Sequence, residues 1–346
     1  MGSVKNFSVD QPATSTSLGE GSFVFTDDYS VFDWGKMPDG IENKGKSLCM
    51  MGAYNFELLE EEGIRTHYRG VVEDERVKSL DDLSGPVDTM AISLTQVPDL
   101  PFTDGEYDYE SFHASGEDNY LIPLEIVFRN SVPKGSSLRR RREPGEVGLD
   151  YDQWPNESVE LGEPIVEFST KFEEKDRYVD DETAREISGL GDDFRKLRGI
   201  AEEVNRVITQ RADEVGLSHE DGKIECLYFE GDILVADVVG TFDENRFLYD
   251  GEQISKEFLR QYYRSYDPEW VNAVREAKEE ADEKGIADWR SLCEVSPKPL
   301  PEDVLETAGE VYASGANLYM GEEWFDTPSL DDVVEKVRQK RAAFQR

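Results

Sequence analysis

Asp221-Gly-Lys-Ile-Glu225 is followed by the turn Glu230-Gly-Asp232, the apolar run Ile233-Leu-Val-Ala236 and Asp237-Val-Val-Gly-Thr-Phe-Asp-Glu-Asn-Arg246. Asp221, Lys223 and Glu225 alternate, and alternate residues of a strand point to one face. The Glu230–Asp232 turn predicts a second strand folded back on the first, which would bring Asp237 near Glu225. A hard cation such as Mg²⁺ binds through one or two carboxylates together with the phosphates of a substrate. A lysine among them supplies a point charge for a phosphate or a developing oxyanion. The spacing therefore predicts a nucleotide–metal site. The plainer reading is that alternating charges mark the wet face of a strand.

Outward from this segment, Phe23-Val-Phe25 predicts a strand ending at Thr26-Asp-Asp28, and Pro123–Arg129 predicts another. Residues 48–62 predict a helix stopped by Gly63. Phe194–Val215 carries Leu197, Ile200, Ala201, Val204, Val207 and Ile208 at helical spacing. Residues 254–283, Pro301–Ser314 and Ser329–Phe344 also read as helical, with Ser329 as N-cap. Residues 143–163 form a polar connector. Strands dominate early and helices late, which predicts an α+β fold.

The chain has 346 residues, 38% of them hydrophobic, enough for a large buried core. Acidic residues number 76 against 38 basic ones, a net charge of −38 spread over almost every segment. That distribution argues against a nucleic-acid binder, which needs a basic face. The three cysteines and three histidines show no metal-ligand spacing. No apolar run approaches the about 18–20 residues of a membrane span, and residues 1–5 lack the apolar region of a signal peptide. A cytoplasmic protein is expected.

Against this acidic background several anion-binding groups stand out. Thr26-Asp-Asp-Tyr-Ser-Val-Phe-Asp33 follows a strand, a common place for ligand loops. Lys44-Gly45, Arg129-Asn130 with Lys134-Gly-Ser-Ser137, Ser169-Thr-Lys171 and Arg246 add cations, hydroxyls and a Gly/Ser turn suited to a phosphate monoester. Read singly, each is equally a turn, a cap or a surface ion pair. The Arg139–Arg142 run adds either anion steering or a solvated loop. From the residues alone, the expectation is an ATP- and Mg²⁺-using enzyme acting on a phosphorylated substrate.

The order of these pieces over residues 1–265 resembles the SAICAR synthetase family of purine biosynthesis. The family's T-D-x-x-S-x-F-D, K-G, V-E-x-V-x-R-N with G-S, P-I-x-x-x-S-T-K, D-x-K-x-E and D-E-x-x-T-P-D-x-x-R-F segments correspond here to Thr26–Asp33, Lys44-Gly45, Leu124–Asn130 with Gly135-Ser136, Pro164–Lys171, Asp221–Glu225 and Asp237–Phe247. Of the family's opening G-K-x-K-D-x-Y only Lys5 is kept, with Ser3 and Asn6 in place of a lysine and an aspartate. Asp28, Val238 and Phe242 stand where arginine, glutamate and proline are usual.

The resemblance implies a C–N ligase joining L-aspartate to carboxyaminoimidazole ribotide (CAIR) with ATP and Mg²⁺, giving SAICAR, ADP and phosphate. It implies a β-rich nucleotide-binding subdomain over 1–122, an α+β subdomain over 123–284 and a helical extension over 285–346, with the cleft between the first two. Glu225 and Asp237 are expected at Mg²⁺ and ATP, with Asp221 close by, and Lys5 at the ATP phosphates. Lys223 and Asp221 are the expected catalytic residues. Arg129, Ser136 and Arg246 are expected at the ribotide phosphate. Ser30, Asp33 and Lys171 are expected along the substrate pocket. Partners are then small molecules only, with homo-oligomerisation left open. Two other readings are a ligase or kinase with a changed acceptor and a non-catalytic nucleotide-binding paralogue.

A net charge of −38 is self-repulsive in dilute buffer, and molar salt shortens the screening length to about 3 Å. A salt-accumulating source is the hypothesis that follows. The melting temperature should rise steadily as KCl approaches molar concentration. A melting temperature indifferent to salt would sink this expectation.

Overall fold

The computed structural model describes residues 4–97, 99–103, 106–114, 118–173, 177–286 and 288–344. Ser3, read above as a departure from the opening motif, lies outside them. Five strands, β1 (Lys5–Gln11), β2 (Gly19–Phe25), β3 (Tyr68–Glu73), β4 (Arg76–Lys78) and β5 (Thr89–Leu94), form an antiparallel sheet in the order β1-β2-β5-β3-β4. Phe23 and Phe25 alternate into its core face. A Cβ on Gly21 would lie 2.2 Å from the Ser8 carbonyl oxygen, so only glycine lets β1 approach β2 there. Helix α1 (Lys44–Glu61) packs on this sheet. It is buried on most of its circumference, which accounts for its weak amphipathic pattern.

The chain continues through the hairpin β6 (Phe102–Thr103) and β7 (Glu106–Tyr107), then α2 (Tyr109–Ala114), β8 (Asn119–Leu121), β9 (Leu124–Val132), α3 (Leu138–Arg141), β10 (Val159–Thr170), β11 (Tyr178–Val179) and α4 (Asp181–Ser188). The amphipathic α5 (Phe194–Glu214) follows, burying Leu197, Ala201, Val204, Ile208 and Ala212. Then come β12 (Ser218–Phe229), β13 (Asp232–Ala236), β14 (Asn245–Tyr249) and β15 (Glu252–Gln253). The second sheet runs β11-β10-β9-β12-β14-β15, with β13 and β8 paired to the far end of β12. The sheets meet where His67 donates to the Val235 carbonyl and Val235 to that of Arg65, each at 2.9 Å. Helices α6 (Glu257–Tyr266), α7 (Pro268–Lys284), α8 (Glu302–Met320) and α9 (Leu330–Phe344) complete an α+β fold.

The elements read from the sequence are present, whereas β3 to β8 and the start of β10 are not among them, and the shifted bounds have physical causes. Helix α1 begins at Lys44 rather than 48, because Lys44 is fully buried and tied to Asp243, a contact distant in sequence. The helical run 254–283 breaks at Asp267, since Pro268 cannot donate a helical hydrogen bond and starts α7 instead. Ser329 accepts from the Asp332 N–H at 3.3 Å, as an N-cap does.

The loop carrying Ser30 and Asp33 rests on α7. Trp270 is wholly buried, with the rings of Phe32, Trp34 and Tyr263 centred 5.1–5.7 Å away. Trp270→Ala should cost about 3–5 kcal/mol through the cavity it leaves. The urea midpoint should fall accordingly, and an unchanged midpoint would contradict this packing account.

Candidate active site

The site is built from three neighbouring strands whose alternate side chains face one way. On β10 they are Glu167 and Ser169, with Lys171 just past its end. On β9 they are Glu125, Val127 and Arg129, and on β12 Asp221, Lys223 and Glu225. Strand β12 changes partners along its length. Residues 221–224 pair with β9, while 225–229 pair with β13. Glu225 is thereby opposite Ala236, one residue before Asp237, as the turn predicts.

Register sets Asp221 between two arginines, opposite Arg129 on β9 and Arg246 on β14. Its Oδ2 accepts from Arg129 Nη1 at 3.1 Å, and its Oδ1 lies 3.0 Å from Arg246 Nε. Arg129 Nε donates to Glu167 at 2.9 Å, and its other nitrogens reach Tyr178 Oη at 3.2 Å and the hydroxyls of Ser136 and Ser137 at 3.4 Å. Arg141 adds a two-pronged contact to Glu167 at 2.9 and 3.0 Å. Burial opposes the charge on Arg129, but Asp221 and Glu167 outweigh it and raise its pKa.

Asp221 faces the arginines rather than the Glu225–Asp237 pair, because a β-bulge between His219 and Asp221 and its cross-strand register aim it there. The buried Arg129 is bonded by Glu167, Asp221, Tyr178 and the hydroxyls of Ser136 and Ser137, and it lines the cleft described below. Beneath Asp221, the ring of His219 accepts at Nδ1 from Thr209 (2.8 Å) and donates from Nε2 to Asn245 Oδ1 (3.0 Å), since an amide oxygen only accepts. Burial pushes its pKa down to about 4, so it stays neutral.

Lysines and carboxylates alternate along the rest of the face. Lys223 Nζ lies 2.9 Å from Glu125 and 3.4 Å from Glu244. Lys171 is ion-paired with Glu225 and lies 3.8 Å from Glu125. Lys5 is ion-paired with Asp237 and sits 4.2 Å from the centre of the Phe23 ring. Burial would discharge Lys223 and Lys171, but their carboxylate partners raise both pKa values. Burial and the nearby Asp237 push Glu225 up to about 7. Burial also acts to raise Asp237, yet Lys5 more than offsets it and holds Asp237 low.

Among the described residues no three His, Cys, Asp or Glu side chains are grouped to hold a metal. Two repelling carboxylates, the buried Glu225 and the partly exposed Asp237, fit a magnesium ion that takes its remaining ligands from phosphates and water.

A cleft of about 300 Å³ opens over the arginine end, lined by Asp33, Glu125, Arg129, Ser137, Asp221, Lys223, Asp243, Glu244, Arg246, Lys256 and Arg260 among others. Asp33, at its mouth, is paired with Lys278 at 2.5 Å. Lys171, Glu225, Asp237 and Lys5 continue the charged face beyond this cleft. Ser136 is buried behind the wall, where its hydroxyl accepts from the Leu138 N–H at 3.3 Å, so of this serine pair it is Ser137 that lines the cleft. Ser30 accepts from the Gly35 N–H at 3.3 Å and closes its own loop rather than facing the cleft. Arg139 is spent on the carbonyls of Val132, Pro155 and Glu157, and Arg141 on Glu167, so half the arginine run is structural.

Residues missed in the sequence are Glu125, Asp243, Glu244, Lys256 and Arg260. Glu125 is two residues from Val127 and four from Arg129 on one strand, and Lys256 and Arg260 are four apart on a helix, signals that could have found them. A larger hollow of about 1230 Å³ lies by Tyr109, His113 and Glu186, but its Glu173 and Arg177 satisfy each other at 2.7 Å.

Residues 13–277 match the SAICAR synthetase family. The chain belongs to the SAICAR synthetase family. A relative from Archaeoglobus fulgidus, provisionally named a phosphoribosylaminoimidazole-succinocarboxamide synthase, is 43% identical over 344 residues, 98% of this chain and 99% of its own length. A solved SAICAR synthetase in complex with ADP is 26% identical, covers 75% of this chain and 88% of its own, and superposes with a TM-score of 0.54. The SAICAR synthase of Saccharomyces cerevisiae, complexed with SAICAR, shares the fold at 21% identity, with a TM-score of 0.62 and 94% of each chain covered. Family membership makes this chain a ligase of purine biosynthesis.

Glu225 yields a test in the absence of metal and nucleotide. Its folded-state pKa lies above its unfolded value. The unfolded chain therefore loses this proton first, and the carboxyl's contribution to stability falls as pH rises from about 4.5 to about 7. Glu225→Gln does not titrate. Relative to the parent, its stability should improve across that window, read as a difference in urea midpoint that grows with pH. A difference that does not move with pH would refute the assignment.

Proposed function

We propose that this face carries out the ATP-dependent joining of L-aspartate to CAIR, the reaction of the family to which the chain belongs. The observation that carries the reading is that one strand holds both ends of the site. Asp221, with its arginines, and Glu225, beside Asp237, are four residues apart, about 13 Å along an extended strand, with Lys223 half-way.

A ribotide with its phosphate at Arg246 and the Ser137 hydroxyl would present its carboxylate toward Lys223. A carboxylate oxygen attacks the γ-phosphorus of ATP, the bond to ADP breaks, and an acyl phosphate forms. The aspartate amine then attacks the acyl carbon. A C–N bond forms, the C–O bond to phosphate breaks, and inorganic phosphate leaves. Such phosphoryl transfer depends on positioning and charge neutralisation more than on covalent participation by the protein.

Lys223 offsets charge on the reacting carboxylate, and Lys5 meets the nucleotide phosphates. Lys171, already at Glu225, adds a cation between the two ends. Glu225 and Asp237 would hold magnesium, which supplies charge neutralisation on those phosphates. Asp221 acts by locking Arg129 and Arg246 in place, with Ser136 behind them. Asp33 closes the mouth, and Ser30 shapes its loop. The cytoplasm, where ATP and ribotides occur, and a salt-rich cell belong to the same proposal, supported by the −38 charge.

The test is ADP release with CAIR and L-aspartate in molar KCl, expected to match SAICAR formed one for one. Arg246→Ala should raise KM for CAIR about 10- to 100-fold, the loss of a charge-assisted hydrogen bond, with kcat changed far less. Equal turnover with unrelated carboxylates would favour a changed acceptor. Bound nucleotide that is never turned over would favour the non-catalytic reading.

A further inference from the structure

The turn between β13 and β14 enters the cleft through Asp243, Glu244 and the backbone around Phe242. This segment has no regular secondary structure of its own to hold it. Helix α8 lies directly against it, touching it at two points and reaching a third through Asn55 of α1. Tyr312 Oη donates to Asp243 Oδ1 at 2.7 Å. Gly315 faces the Phe242 ring so closely that a Cβ there would lie 2.7 Å from it. Tyr319 Oη donates at 2.7 Å to Asn55 Oδ1, and Asn55 Nδ2 donates at 3.3 Å to the Gly240 carbonyl. Tyr312 stands beyond residue 277, where the family match ends.

The other carboxylate oxygen, Asp243 Oδ2, lies 2.9 Å from Lys44 Nζ and 3.9 Å from Lys256 Nζ. Lys44 is fully buried and has its ammonium 5.4 Å from the Tyr312 ring centre. Lys256, at the start of α6, lines the cleft and donates its backbone N–H to the Phe242 carbonyl at 3.0 Å. Asp243 is thus a buried hub with three partners, one of them facing substrate. If Tyr312 did not occupy Oδ1, rotation of the carboxylate would move Oδ2 relative to Lys256. With both oxygens bonded, the carboxylate has less freedom to turn than with one.

We propose that Tyr312 is a positioning residue of the active site, fixing the Asp243 carboxylate and, through it, the Lys256 ammonium that meets an anionic group of the ribotide. The helical C-terminal region thereby completes the cleft rather than merely covering the fold. This rests on reading the cleft as the CAIR site. Were that reading wrong, the parent protein would show no CAIR-dependent ADP release. Were only the present proposal wrong, the parent would turn over and the variants below would match it.

The experiment is a double-mutant cycle. Tyr312→Phe keeps the ring and removes the hydroxyl, and Lys256→Met removes the ammonium. Tyr312→Phe should raise KM for CAIR about tenfold, the scale of one hydrogen bond to a charged group, with kcat within about twofold. Combined with Lys256→Met it should add almost nothing to the effect of Lys256→Met alone, because both act on one contact. Gly315→Ala, which keeps every hydrogen bond but presses on Phe242, provides a second arm and should couple to Lys256→Met in the same way. Unchanged KM in both α8 variants overturns the proposal. So do effects that multiply independently with Lys256→Met, the mark of general destabilisation.

Discussion

Carboxylates on the cleft face of β12 are nearly dry, and each is in contact with a cation. Asp221 lies between two arginines, and Glu225 is met by Lys171. An unpaired buried charge would cost several kcal/mol, so these pairings constrain the neighbouring strands as firmly as apolar packing does. They fix β9 and β14 on either side of β12, because Arg129 and Arg246 must both reach one carboxylate. Slipping either strand by one residue would turn its arginine to the opposite face and leave Asp221 short of a partner. Below the sheet the neutral His219 network holds the same three strands from the other side.

The same constraint explains how a chain with twice as many acids as bases can receive anions. Cations are concentrated rather than abundant. Lys223, Arg246, Lys256 and Arg260 face one small cleft, with Lys171 and Lys5 continuing toward the Glu225–Asp237 pair. At contact distances of about 3 Å their pull survives salt that screens the distant acidic surface. Their carboxylate partners also keep Lys171 and Lys223 charged despite burial, so these two remain available as charges when substrates replace some of those partners.

The two sheets and the late helices meet around this face instead of enclosing separate sites. Lys5 comes from the edge of the first sheet, Lys44 from the first helix, and Tyr312 from near the end of the chain. They converge on the loop after β13, which carries both Asp237 and Asp243. That loop is short and strained, with Asp237 at a positive φ of 64°. It keeps its shape because neighbours from three distant parts of the sequence bond to it.

The sequence alone determined the strand pair around Asp221–Asp237, the alternation that puts Asp221, Lys223 and Glu225 on one face, the long amphipathic helix at 194–215 and the α+β character. Each follows from local periodicity and turn chemistry, which depend on residues a few positions apart. The ordered motifs also disclosed the family. Tertiary structure alone decided which charge meets which. It turned Asp221 toward arginines 92 and 25 residues away, enclosed Arg129, put Ser137 rather than Ser136 on the cleft, and joined Lys44, Asp243, Lys256 and Tyr312. Ion pairing depends on distance in space, and charged residues occur throughout this chain, so nothing in their order along it singles out the partners that register and helix packing bring together.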